Sequence, residues 1–184
     1  MDIGYTAYKV STPNLVKKKM QDLLSQQDED LELKDELHIT ICLGDIVKKM
    51  ESKKAKNLDF QNIMKASVTT NTNKDNIFEI TAIGVNPDTG VIAFKTNSVE
   101  GQNDLISDNS NPHITAYVPE GEKAFSSNKI TEWETLETPI QFKAVASYYL
   151  KDETTAPIKY TVKDDVFSVQ VQENATKNKA ASPK

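Results

Sequence analysis

The chain contains no arginine: all 22 of its basic residues are lysines, set against 27 acidic ones, for a formal charge of −5. No guanidinium fork is therefore available for a bidentate grip on phosphate. Any phosphate must be held by lysine, by hydroxyls or by backbone N–H groups. The acidic balance also argues against a clamp for long duplex nucleic acid, whose affinity rests on neutralising many phosphates. A small ligand carrying few phosphates is less restricted. Cysteine occurs once, at Cys42, so no intramolecular disulfide can form, which fits a reducing compartment. No apolar run approaches the roughly 20 residues needed to cross a bilayer. The start, Met1-Asp2-Ile3-Gly4-Tyr5, lacks both the basic residues and the apolar stretch of a signal peptide. These absences predict a cytoplasmic protein with no membrane partner. With 184 residues, 38% of them hydrophobic, the chain is long enough for one domain with a real core.

Histidine is nearly absent as well, and its two occurrences are alike. His38-Ile39-Thr40 lies in Leu37-His38-Ile39-Thr40-Ile41-Cys42-Leu43-Gly44, and His113-Ile114-Thr115 in Asn111-Pro112-His113-Ile114-Thr115-Ala116-Tyr117-Val118. Both runs read as β-strand. Residues two apart in a strand share a face, so each tripeptide sets an imidazole beside a hydroxyl and turns its isoleucine the other way.

The rest of the chain reads as a mixture of strands and helices. Residues 3–10 predict a first strand. Ser11-Thr12-Pro13 is a helix start, followed by the stripe Leu15, Val16, Met20, Leu23 and Leu24. The first histidine strand spans 37–43. Residues 45–56 and 58–64 predict two helices, the first rich in lysine (Lys48, Lys49, Lys53, Lys54, Lys56). Residues 77–85 and 91–96 form a hairpin around Asn86-Pro87-Asp88-Thr89-Gly90. The polar stretch 98–111 is a connection. The second histidine strand covers 113–118, Trp133 falls in a loop or helix, and 140–150 and 160–171 predict further strands. Nothing from Gln172 onward can be buried, which predicts a single domain over 1–171 and a disordered tail over 172–184.

Two imidazoles can cleave a phosphodiester without a metal. One removes a proton from the attacking oxygen while the other protonates the leaving oxygen, and histidine serves both roles because its pKa of about 6.5 lies near neutrality. Thr40 and Thr115 are then candidates to hydrogen-bond the non-bridging oxygens. Tyr5, Tyr8 and Tyr117 are candidates for stacking a base or touching phosphate, Tyr117 favoured because alternation puts it on the face of His113 and Thr115. Alternatives remain open. Threonine favours strands and two His-x-Thr pairs can be coincidental. Two histidines plus a carboxylate can hold zinc. Cys42, on the His38 face by alternation, is a nucleophile candidate but acts more often as a small apolar residue.

Two copies of His-hydrophobic-Thr-hydrophobic resemble the signature of the two-histidine phosphoesterase superfamily. That superfamily includes bacterial RNA 2′,5′-ligase and cyclic phosphodiesterase proteins, 2′,5′-oligoadenylate phosphodiesterases and phage anti-CBASS nucleases. Gly44 after the first motif and Pro112 before the second resemble its usual flanks. The resemblance spans residues 3–150. It implies an α+β fold with two pseudo-symmetric lobes, antiparallel sheets and a central cleft. It also implies His38 and His113 as the acid–base pair, Thr40 and Thr115 as phosphate ligands, and no metal or other cofactor. Tyr5-Thr6-Ala7-Tyr8-Lys9 resembles the first strand of the anti-CBASS group, which implies a cyclic oligonucleotide substrate and a host cytoplasm. No glutamate stands in 141–150, where that group has one, and the region beyond Lys151 has no counterpart in it. The expected activity is a metal-independent phosphodiesterase acting on a small nucleotide or short oligonucleotide. A protein that sequesters the nucleotide uncleaved and an RNA-end processing enzyme are the alternatives.

Overall fold

The first strand, β1 (Ile3–Val10), has the bounds the sequence predicts, and both of its edges are paired. The computed structural model describes residues 3–24, 31–45, 75–105, 107–151, 154–163, 166–171 and 176–177. It adds β2 (His38–Leu43), β3 (Asn76–Val85), β4 (Ile92–Ser98), β5 (His113–Tyr117) and β6 (Trp133–Leu150). These strands are antiparallel in the order β1-β2-β5-β4-β3-β6, and β6 returns to pair with β1. Six strands thus close into a barrel. Among the described residues helix is confined to α1 (Pro13–Leu24) and a short 3₁₀ helix (Ala124–Lys129).

This architecture overturns the two-lobed α+β fold expected from the sequence, and β6 is the reason. Its 18 residues pair with β3 from Trp133 to Ala144 and with β1 from Ala144 to Leu150. One long strand therefore joins the two edges that separate lobes would leave apart, and closure satisfies their backbone donors and acceptors. Trp133 opens this strand instead of lying in a loop or helix. Pro139, which has no N–H to give a ladder, sits where the register shifts: Ile80 pairs with Ile140, and the next pairing is Ala82 with Thr135.

The barrel strands carry the core. Tyr8, Phe78, Phe94, Tyr148, Ile39, Ile41 and Ile80 are fully buried, and Tyr8 meets Phe78 edge-on at 4.8 Å. Each such side chain contributes roughly 1.5–3 kcal/mol of burial. The helix α1 adds Val16, Met20 and Leu24 to this core; Leu15, expected on the same stripe, is 55% exposed.

β7 (Thr154–Lys163) and β8 (Val166–Val171) form a hairpin outside the ring, with β7 paired to Ser147, Tyr148 and Tyr149 of β6. Lys9 of β1 reaches Thr155 of β7 at 3.5 Å. Within the segment expected as a tail, β9 (Thr176–Lys177) pairs with β7. The helices expected over 45–56 and 58–64, with their lysine cluster, lie outside the described residues, as does most of the expected tail. No helix among the described residues is long and apolar enough to cross a membrane.

Candidate active site

The two histidine strands are barrel neighbours. β2 and β5 run antiparallel with Ile39 opposite Ile114, both fully buried. About that pair, antiparallel register sets His38 across from Thr115 and Thr40 across from His113, all on the face opposite the isoleucines. The tripeptides are thus related by a local two-fold. All four polar side chains, with Tyr5, line one cleft of about 270 Å³.

The two-fold extends one residue further. On β2, Thr6 pairs with Cys42 and Ala7 with Thr40, which leaves Ile41 as an extra residue. On β5, Ile92 pairs with Tyr117 and Ala93 with Thr115, which leaves Ala116 extra. Each motif therefore ends in a β-bulge just after its threonine, and a bulge resets the alternation of faces. That is why two expectations drawn from alternation differ from the structure. Cys42 is buried in the core, and Leu43 takes its place in the cleft wall. Tyr117 is partly buried against the core and does not line the cleft. Tyr8 is likewise a core residue.

Each imidazole is held through Nδ1 by the residue two positions upstream. His113 Nδ1 lies 2.7 Å from the Asn111 carbonyl oxygen. A carbonyl only accepts, so Nδ1 carries the proton and Nε2 bears the lone pair when the ring is neutral. His38 Nδ1 lies 2.8 Å from Oε2 of Glu36, whose side chain is 9% exposed. Burial pushes the Glu36 carboxyl up, but hydrogen bonds from His38 and Tyr149 and the nearby charges of His38 and Lys34 outweigh it, and its pKa falls below the ordinary value. Glu36 is thus the anionic acceptor for His38.

Around His38 the wall is aromatic. Tyr5 stacks on Tyr149 at 4.6 Å between centroids and lies 5.2 Å from the His38 ring. The Tyr149 hydroxyl donates to Oε1 of Glu36. Burial, followed by the nearby Glu36 charge, raises the pKa of both tyrosines above the ordinary value, so both are neutral phenols.

Around His113 the wall is the 3₁₀ helix. Ser127, buried there, places Oγ 2.8 Å from His113 Nε2, 2.9 Å from Thr115 Oγ1 and 2.7 Å from the Ala124 carbonyl oxygen. This hydroxyl suits both states of the ring. A protonated Nε2 donates to Ser127, whose own proton goes to Ala124; a bare Nε2 receives the Ser127 proton. Burial lowers the His113 pKa, the Asn111 carbonyl opposes that, and the charge of His38 lowers it further, for a net fall below the ordinary value. The Trp133 ring lies 6.1 Å from that of His113.

The loop between β4 and β5 is clipped to β2: Ser107 donates to the Thr40 carbonyl at 2.6 Å, and the Asp108 N–H to that of Ile41 at 2.9 Å. Lys34 supplies a cation to the cleft. Among the described residues no group of three or more His, Cys, Asp or Glu side chains is placed to hold a metal ion.

The structure therefore brings His38, His113, Thr40, Thr115 and Tyr5 together and leaves Tyr117 out. Sequence reasoning missed Glu36 and Ser127. Glu36 carried a signal, since it continues the period-two pattern Glu36-x-His38-x-Thr40. Ser127 carried none, because it comes from irregular structure after β5. No protein-family model and no curated protein matches this chain in sequence.

Proposed function

We propose that the cleft is the active site of a phosphodiesterase that cleaves a small nucleotide phosphodiester by two-histidine acid–base catalysis. The observation that carries this reading is the antiparallel placement of His38-Ile39-Thr40 against His113-Ile114-Thr115 on adjacent strands, both imidazoles and both hydroxyls in one cleft. Binding alone needs one or two hydrogen-bond donors; a pair of imidazoles with separately fixed Nδ1 protons suits proton transfer in two directions.

The unlike partners suggest the roles. His113, partly desolvated and bonded to a neutral carbonyl, favours the neutral ring and acts as base through Nε2. His38, whose Nδ1 is held by the carboxylate of Glu36, acts as acid. The Ser127 hydroxyl takes the proton of an attacking water or ribose hydroxyl and passes its own to His113 Nε2 as the attacking oxygen bonds to phosphorus. The Thr40 hydroxyl donates to a non-bridging oxygen, where charge accumulates, while the Thr115 hydroxyl donates to Ser127 and holds it against His113. The bond from phosphorus to the leaving oxygen breaks as His38 gives that oxygen its proton. Lys34 balances charge where arginine is lacking.

The resemblance to the two-histidine phosphoesterases supports this reading through the motif pair and its flanks; the barrel does not add to it. A cyclic oligonucleotide substrate and a role in phage counter-defence, acted out in a host cytoplasm, extend the reading on the strength of the first strand's resemblance. The test is incubation with EDTA against 2′,3′-cyclic nucleotides, 2′,5′-oligoadenylate, 3′,3′-cGAMP and cyclic trinucleotides, read by chromatography beside His38→Ala and His113→Ala. Cleavage of one class by wild type alone is expected. Metal-dependent activity, or full turnover in either variant, overturns the mechanism, and a ligand retained intact points to sequestration.

A further inference from the structure

We infer that Phe125 is the platform on which the nucleobase adjoining the scissile phosphate stacks, so that the cleft favours ligands that carry a base over phosphate alone. This rests on the phosphodiesterase reading. Four large hydrophobic side chains are markedly exposed among the described residues, and two of them, Phe125 at 59% and Leu43 at 50%, line this one cleft. Neither is spent on the core. The cleft therefore combines imidazoles and threonine hydroxyls with an exposed aromatic ring and an aliphatic side chain.

Phe125 is positioned with the chemistry. It sits two residues before Ser127 in the 3₁₀ helix, and Ser127 is bonded to both His113 and Thr115. The ring is thus anchored to the same hydroxyl that serves the base. Beside it, Asn109 Nδ2 donates to Asn128 Oδ1 at 2.6 Å, and Asn109 Oδ1 accepts the Asn111 N–H at 3.0 Å. The Asn128 amide N–H groups remain to donate to a base edge. A flat π-surface with one adjacent amide donor and a phosphate site beyond it is the complement of a nucleoside phosphate. Base–aromatic stacking tolerates every base, and the larger purine ring system covers more of the platform.

The test compares wild type, F125A, F125L and F125W on adenosine 2′,3′-cyclic phosphate and on the base-free methyl riboside 2′,3′-cyclic phosphate. Wild type is expected to prefer the nucleotide, chiefly through KM, by about 5- to 100-fold, the range of one stacked base. That preference collapses in F125A and F125L and returns in F125W. Equal preference in wild type and F125A overturns the inference while the phosphodiesterase reading stands. If wild type cleaves neither compound, binding decides. Quenching of 2-aminopurine riboside monophosphate fluorescence by wild type and F125W, but not by F125A, supports the platform, and absence of quenching by wild type overturns it. Because Phe125 is exposed, all three variants are expected to melt with wild type.

Discussion

Replacing Glu36 by glutamine tests whether the carboxylate does more than hold a ring in place. The amide keeps the size of the side chain, and its oxygen still accepts from His38 Nδ1 or the Tyr149 hydroxyl. What disappears is the negative charge 2.8 Å from Nδ1 in a side chain 9% exposed. A hydrogen bond to a charged group is worth about 1.5–3 kcal/mol, and that loss falls on the imidazolium form which protonates the leaving oxygen. The expected fall in kcat/KM is therefore roughly 10- to 150-fold. Glu36→Ala, which also frees the ring, should fall further, towards His38→Ala. A readout independent of turnover is the ¹⁵N–¹H correlation spectrum of the imidazole: protonated Nδ1 in wild type, mixed tautomers in Glu36→Ala. Wild-type kcat/KM in Glu36→Gln would refute the assignment of His38 as acid.

Other outcomes follow from the same geometry. Ser127→Ala leaves the Ala124 carbonyl, the Thr115 hydroxyl and His113 Nε2 each short of a partner, and should cost about 1–3 kcal/mol in chemical denaturation. Gly84→Ala would bring a Cβ within 2.6 Å of Ile130 Cγ2 and 2.7 Å of the Trp133 ring. Overpacking of that kind should cost about 1–3 kcal/mol, a Tm lower by roughly 2–10 °C, with altered Trp133 fluorescence. His113, with its folded pKa depressed, stays neutral where the unfolded chain protonates. Its contribution is full above the unfolded value of about 6.5 and is lost as pH falls through the folded one, so His113→Gln should flatten the acid side of the stability curve in that window. Cys42→Ala should retain activity, and Cys42 should react slowly with thiol reagents, since the side chain is buried in the core.

Local patterns in the sequence were legible where local rules govern. The run Ile3–Val10 read as a strand and is β1, the Asn86-Pro87-Asp88-Thr89-Gly90 turn set the β3–β4 hairpin, and Ile39 and Ile114, turned inward, set the opposite faces of the motifs. The barrel was not legible, because it depends on one strand pairing with two distant partners. The first half of β6 is largely exposed, holds Glu134 and Glu137 and carries Pro139, so it reads as a connection, yet its backbone pairs with β3. The bulges at Ile41 and Ala116 were hidden for a similar reason. Each is defined by the register of the neighbouring strand, and the apolar side chain at the bulge looks like any other strand residue.

The local two-fold and its breaking together explain how two identical tripeptides can do unlike jobs. Symmetry about Ile39 and Ile114 brings each imidazole beside the other motif's hydroxyl, which suits a tetrahedral phosphate approached from two sides. Perfect symmetry would give both rings the same proton affinity, and then acid and base would be present together in only a fraction of molecules. The symmetry fails at one place that matters, the group two residues upstream of each ring: a side-chain carboxylate at Glu36 and a backbone carbonyl at Asn111. His38 faces an anion, and burial beside a neutral carbonyl keeps the His113 ring neutral, so the environments separate the two roles. The separation should depend on charge more than on reach. Glu36→Asp keeps the anion but shortens its side chain, so it should retain more kcat/KM than Glu36→Gln, which keeps the reach and loses the anion. The reverse order would place the origin of the asymmetry in the geometry at Nδ1 and not in the charge.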